Sequence, residues 1–370
     1  MGIQLRNRSL RESLAPTLSK QKEIAESLQD TIAKVECEAK RVEQIMHSAP
    51  SIIEKLNRDF EESTKLTNTD VKFLFLATGL QCLRQYVFSN EKFRISAKDG
   101  DSISTKVVPK AWQDVLLGSV PYDAVSVENS FKEAIGSTGL SGTTHRFRTL
   151  GHDPLFGWVF GPVNIITDSL TKTNVVTTYS VTDMKINGIY ANGTTGAFHD
   201  CYLMSSQNKY LLPVSVMRQA IHFGSDYFTK QGLPLPLISS LNNDFAKTLV
   251  TRYGIDMYSV TRSASLSIFI NSIIFYLHTL INDNPSFSSQ SLYEVRTRKI
   301  LSYSNTIASA SNIIYVGVNA FLGNTCALKK LDLGGLLVTI YRIVTDYRYI
   351  AQIKQEFLEK EFYNIVMKTN

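Results

Sequence analysis

The chain has 370 residues, of which 44% are hydrophobic and 19% charged, enough for two or three domains or one large helical body and too apolar for long disorder. Its net charge of +6 is spread thinly, with no run of five Lys or Arg, which reads as mild attraction to anionic surfaces and not as a dedicated nucleic-acid footprint. The four cysteines are far apart and show no CxxC spacing, and Met1 to Leu14 is polar and basic where a signal peptide would be apolar, so reduced thiols in a cytoplasmic setting are expected.

The pattern predicts a mainly α-helical protein, a multi-helix bundle with an N-terminal amphipathic helix and one small β-hairpin excursion. Its N-terminal segment covers residues 1–66 and its helical core 67–370. Over 16–66, Ile24, Leu28, Ile32, Val35, Ala39, Val42 and Met46 recur at steps of three and four, which makes one apolar stripe. Three heptads suit either an oligomerising coiled coil or a helix packed in a hairpin on its own domain. Pro50 is expected to end this helix, with Ser51–Phe60 resuming as a shorter one.

Thr69-Asp70 looks like a helix start, and the following residues to Phe88 are apolar nearly all round, which predicts a buried helix. Gly136 to Thr144, rich in Gly, Ser and Thr, reads as a loop leading into His145. Leu155–Ile166 carries glycines at 157 and 161, a spacing that lets helices approach closely. Val175–Tyr179 and Ile186–Ala191, rich in Thr and Val, suggest the hairpin. Residues 213–230 return to helix, stopped by Gly232-Leu233-Pro234-Leu235-Pro236. Leu266–Ile281 is strongly apolar but short of the roughly 20 residues a span needs, so a buried helix is expected there. Ile313–Leu322 and Leu331–Val344 are two more apolar stretches, and together the three leave a membrane-hugging body open. The tail, from Tyr347 to Lys368, is amphipathic.

Four of the six histidines fall between 145 and 222. His222 and Asp226 are spaced i,i+4 and project from one helix face, about 5–6 Å apart at Cβ. Imidazole nitrogen and carboxylate oxygen are both ligands for zinc or a similar divalent ion. His152-Asp153 and His199-Asp200 are adjacent pairs, in which one partner of each faces a common site and the other diverges. Arg146, Arg148 and Arg218 lie close in sequence and suit a phosphate through forked hydrogen bonds. The bland alternative is a set of hydrogen-bonded His–Asp pairs that satisfy buried polar groups. That reading is the expected one for His278, and His47 is likewise expected to have no chemical role. GxSxG, Walker A, GxGxxG and HExxH are all absent, which removes the main support for serine-hydrolase, nucleotide and zincin chemistry.

Thr144-His145-Arg146, Leu150-Gly151-His152-Asp153, and the run from Ile221 through His222, Asp226, Thr229 and Gly232 to Pro236 together resemble the membrane-bound metal-dependent hydrolases, considered relatives of helical zinc-dependent phospholipase C enzymes. The resemblance implies a helical fold, a divalent metal held by His145, His152, His222 and Asp226, and a phosphoester or lipid substrate. His199 is a further candidate ligand. Asp153 or Asp200 would act as general base or orienter, with Arg146 and Arg218 steadying the phosphate. The expected partners are that substrate, the inner face of a membrane and further copies of the chain, with no specific nucleic acid. A non-enzymatic reading stands beside it: an N-terminal helix that drives self-assembly and apolar C-terminal helices that engage a membrane or partner, as in a pore-forming or immunity effector.

Overall fold

The computed structural model describes residues 2–87, 94, 145–173, 177–182, 185–230, 232–282 and 287–367. The expected 136–144 loop, and Val175 and Val176 of the expected hairpin, lie outside these residues. Among the described residues the chain forms eleven α-helices and one small antiparallel sheet, the mainly helical fold the pattern predicts. It divides into two compact units, the first made of residues 1–67, 283–296 and 346–370, the second of residues 68–282 and 297–345.

The first unit is built on α1 (Gly2–Ser63). Pro50 does not end this helix, and neither does Pro16; both sit inside one continuous run. A proline ring removes one i→i−4 bond and crowds the preceding turn, at a cost near 3 kcal/mol. Here the turns after Pro50 are held by tertiary packing: Phe60 is buried against Val295, Ile353 and Phe357. Contacts of Arg41 with the Val366 carbonyl (2.6 Å) and of Glu61 with Lys354 (3.8 Å) run in opposite chain order, so α1 and the end of α11 (Leu333–Met367) pack as an antiparallel pair. The upper stripe of α1, Ile24, Leu28, Ile32 and Val35, remains exposed.

In the second unit, α2 (Asn68–Val87), α9 (Met257–Leu280), α10 (Phe287–Phe321, from Thr297 onward) and the start of α11 form a bundle. Neither α2 nor α9 is buried as an all-round apolar helix should be. On α2 the buried residues are Asp70, Ala77, Gln81, Arg84 and Gln85, whereas Phe75 is 72% exposed. On α9, Ser267, Asn271 and His278 are inside and Phe269 and Tyr276 are outside. Mean apolarity alone does not distinguish a greasy core helix from one that turns its few polar residues inward.

The remainder of the unit runs α3 (His145–Arg148), a 3-10 turn at Leu150–His152, α4 (Gly157–Ile166), β1 (Ser169–Thr171), β2 (Thr178–Thr182), β3 (Lys185–Ile189), α5 (Gly193–Gln207), α6 (Leu211–Phe228), α7 (Ile238–Leu241) and α8 (Asn243–Tyr253). The expected hairpin becomes a three-stranded sheet in the order β1-β2-β3, because residues 169–171 add an edge strand to it. One face of the sheet is apolar: Leu170, Val181 and Ile186 pack with Ile165 of α4 and Val214 of α6. Through this face the sheet packs against both α4 and α6, the second of which carries His222.

Candidate functional site

The site begins with the crossing of α4 and α6. A Cβ on Gly157 would overlap the Phe223 ring and the Gly151 carbonyl, and one on Gly161 would overlap the Gln219 carboxamide. The two glycines therefore leave room for the Phe223 ring and the Gln219 carboxamide of α6 against the backbone of α4. Gln219 Nε2, fully buried, donates to the Gly151 carbonyl at 2.7 Å. That bond draws the Leu150–His152 turn onto α6, one helical turn from His222. Asp153 locks the turn from the other side. Its Oδ1 accepts from the backbone amides of Leu155 (2.9 Å) and Phe156 (3.1 Å), and its Oδ2 accepts from that of Leu237 (2.8 Å).

His152, His222 and Asp226 converge. Their separations are 3.0 Å between the two Nε2 atoms, 3.2 Å from His222 Nε2 to Asp226 Oδ2 and 3.7 Å from His152 Nε2 to the same oxygen. They are the one group of three or more His, Cys, Asp or Glu side chains among the described residues whose ligand atoms come this close together. Ligands at 2.0–2.1 Å from a tetrahedral zinc ion stand about 3.3–3.4 Å apart, and the three observed spacings straddle that value. His152 and Asp226 have no exposed surface, whereas the His222 side chain is 12% exposed and opens the site to solvent.

The neighbours set the protonation and aim of these groups. The Thr149 hydroxyl donates to the His145 carbonyl at 2.9 Å, so at 2.7 Å from His152 Nδ1 it must accept. His152 thus carries its proton on Nδ1 and turns a bare Nε2 toward His222 and Asp226. Burial, followed by the charges of His145, His222 and Arg146, pushes the His152 imidazole well below its ordinary pKa, so the ring is neutral and its lone pair available at neutral pH. Arg146 Nη2 lies 2.6 Å from Asp226 Oδ1, and its Nη1 donates to Thr229 Oγ1 at 3.0 Å. The two carboxylate oxygens therefore divide, Oδ1 toward the guanidinium and Oδ2 toward the imidazoles. Neither receives a well-aligned hydrogen bond among the described residues, although Asp226 is wholly buried. A buried carboxylate in that condition is costly unless a further cation completes it.

The other expected site residues are dispersed. His145 is buried edge-on against His152, with ring centroids 4.9 Å apart, and is not among the converging three. Arg146 is committed to Asp226 and Thr229, so it orients the carboxylate instead of waiting for a phosphate. Asp153 is engaged by three backbone amides, which is a positioning role. Asp200 accepts from the Tyr190 hydroxyl at 2.9 Å, and His199 beside it is exposed on α5. Arg218 is half-buried near Asp168, whose carboxyl burial raises and Arg218 partly restores. Arg148 pairs with Asp244 at 3.3 Å. His278 bonds Thr297 and Asp70 and His47 is exposed. Sequence reading gave no role to Thr149 or Gln219, and it held Thr229 only as a member of the motif run. Of the two without a role, Thr149 had a signal, since a hydroxyl three residues before His152 reaches the ring.

Past Thr229 the chain enters a cavity of about 380 Å³. Six cationic residues line it: Arg84, Arg94, Lys230, Arg262, Lys329 and Lys330. Among the described residues its two carboxylates are already matched, Asp332 by Arg84 and Asp256 by Arg94. No family model, no curated protein and no solved structure matches this chain.

Proposed function

We propose that the protein is a divalent-metal-dependent hydrolase of a phosphoester, with phospholipids among its candidate substrates. The observation that carries this is the convergence of His152 Nε2, His222 Nε2 and Asp226 Oδ2 at ligand spacing around a fully buried carboxylate that lacks well-aligned donors. Two imidazoles and one carboxylate are a donor set suited to zinc, and three protein ligands leave a fourth position for water. A metal held there would lower the pKa of that water toward about 7 and supply hydroxide near neutrality.

The chain's own residues prepare the site. Thr149 fixes the His152 tautomer, and Arg146 aims the carboxylate, as ligand-orienting partners do in metal sites. The partly open edge at His222 admits water and substrate. The excess of cations in the neighbouring cavity supports an anionic substrate, since its carboxylates are already neutralised.

Elemental analysis of the purified full-length protein tests the reading. About one equivalent of bound divalent metal is expected in the wild type, and far less in His152→Ala and Asp226→Asn variants. Hydrolysis of bis-p-nitrophenyl phosphate should stop on chelation and return with zinc. Wild type that carries well under one equivalent after zinc loading would overturn it.

A second, non-enzymatic reading is favoured by one observation, the uncovered stripe on α1. Self-association through this stripe would bury it, and Ile24→Glu with Val35→Glu should then reduce the assembly seen by light scattering. Unchanged mass would remove that reading.

A further inference from the structure

The bundle of the second unit buries an unusual share of polar side chains among its apolar ones, which include Ile274, Ile300 and Leu301. Three polar layers join its helices from within. At one end His278 Nε2 lies 2.8 Å from Asp70 and its Nδ1 lies 2.7 Å from Thr297, tying α9 to α2 and α10. In the middle, Gln81 Nε2 donates to Asn271 at 3.1 Å and Asn305 Nδ2 donates to Asn271 at 2.7 Å. At the other end Arg84 pairs with Asp332, which also takes the hydroxyl of Ser263. Ser309 and Thr339 link α10 to α11 at 2.7 Å. All these residues except Ser263 are at most 6% exposed or lie in ion pairs whose side chains are at most 7% exposed. Gly334 lies so close to α9 that a Cβ there would overlap the Val260 carbonyl, a small-residue crossing.

The outside is the reverse. Phe75 on α2, Phe269 and Tyr276 on α9, Ile314 on α10 and Ile340 and Tyr341 on α11 are all more than half exposed. The buried side of each helix mixes these polar residues with Ala77, Ile274, Ile300, Leu301 and Val316, whereas large apolar side chains on all four helices are left uncovered and together make a belt. From Ser263 to Leu280 α9 has no Asp, Glu, Lys or Arg, and neither has α10 from Ile300 to Phe321. At 1.5 Å per residue these runs are roughly 27 and 33 Å long, against a hydrocarbon core of about 30 Å. Among the described residues α9 is the one helix both long and apolar enough to cross a bilayer, and only 22% of its most apolar stretch is buried, whereas the core helix of a water-soluble protein is mostly covered. An open, mainly apolar groove of about 570 Å³ between α9 and α11 is lined by Ile268, Phe275, Tyr276, Leu337 and Tyr341, with Asn271, Ser272 and Arg342 as its polar members, a site for an acyl chain with a cation beside it.

We infer that α2, α9, the part of α10 after Thr297 and the first three turns of α11 stand in a lipid bilayer, with acyl chains covering the belt. In lipid, interhelical hydrogen bonds and close small-residue crossings hold helices together while apolar side chains need no protein partner. Intramembrane ionisable residues turn inward and pair, as Asp70–His278 and Arg84–Asp332 do; the exposed Lys72 and the half-buried Arg262, Arg298, Lys299 and Arg342 lie near the ends of these segments, where long side chains reach the headgroups. A second copy of the chain would cover one side of the belt and leave the others in water, which is why lipid is the better occupant. The inference rests on the burial pattern and not on the metal cluster.

Fractionation of cells that produce the full-length chain tests it. The protein should stay in the membrane pellet after alkaline carbonate and leave it only with detergent. Phe269→Cys adds a second measurement, with exposed native Cys37 as internal control. An impermeant maleimide added to opened membranes should label Cys37 at once, and the introduced thiol only after detergent. Release by carbonate, a discrete soluble oligomer without detergent, or prompt labelling at position 269 would each overturn the inference. Loss of metal in His152→Ala leaves all three readouts unchanged, so failure here and failure of the hydrolase reading are separable.

Discussion

Thr149→Val removes one hydroxyl from a wholly buried position and keeps the shape of the side chain. That hydroxyl links the His145 carbonyl at 2.9 Å to His152 Nδ1 at 2.7 Å. Without it, nothing at that position accepts the Nδ1 proton, and the ring is free to carry the proton on Nε2, where it would block the lone pair aimed at the cluster. Loss of such an orienting partner typically weakens metal binding about 10–100-fold, which is roughly 1.4–2.8 kcal/mol. The stranded buried donor adds about 1–3 kcal/mol of lost stability. Competition for zinc against a chromophoric chelator reads the first effect, and denaturant unfolding of the metal-free protein reads the second. Thr149→Ser restores the hydroxyl and should return zinc affinity to within a few-fold of wild type. If Thr149→Val binds zinc as tightly as the wild type, the tautomer argument is wrong. If the serine variant is as weak as the valine one, the effect is packing and not the hydrogen bond.

Three further outcomes are expected. Gly161→Ala forces a methyl into the Gln219 carboxamide and should cost about 1–3 kcal/mol in unfolding free energy, with part recovered when Gln219→Ala makes room; additive losses in the double variant would refute the contact. Asp226→Asn leaves the Arg146 guanidinium buried without its countercharge, so it should destabilise the metal-free protein by about 3–5 kcal/mol as well as abolish metal binding, and an unchanged melting curve would count against the ion pair. Burial first, then the hydrogen bond and charge of Asp200, push the Tyr190 hydroxyl up to about 12 from an ordinary 10. The neutral phenol is thus the form favoured by folding. Its stabilisation is fully present below pH 10 and is lost as pH rises through 12. The difference titration of wild type minus Tyr190→Phe near 295 nm should show this late ionisation, and Asp200→Asn should move it down; a midpoint near 10 in both would contradict it.

Much of the fold was legible before any coordinates, because helices announce themselves through local periodicity. The stripe from Ile24 to Met46, the acidic residue at the start of α2 and the Gly232–Pro236 stop after α6 are all short-range signals. Pro50 misled for the same reason. Its local cost is real, but it is outweighed by contacts of Phe60 with residues nearly 300 positions away. The His222–Asp226 pair followed from helical geometry alone, since i and i+4 share a face. That His152 joins them was suggested by a motif, and a motif carries no distances.

What the chain order fixed, then, was the helices, their stops and the i,i+4 pair, each a consequence of bonds and torsions within a few residues. Which nitrogen of His152 is bare, and that Arg146 turns to Asp226, were decided by tertiary packing, through the crossing at Gly157 and Gly161 and the Thr149 hydroxyl. The same holds for the bundle. The composition of α2 and α9 is equally compatible with a buried core and with a lipid-facing belt, and only the partners of Asp70, Arg84, Asn271 and His278 show which side of each helix faces in.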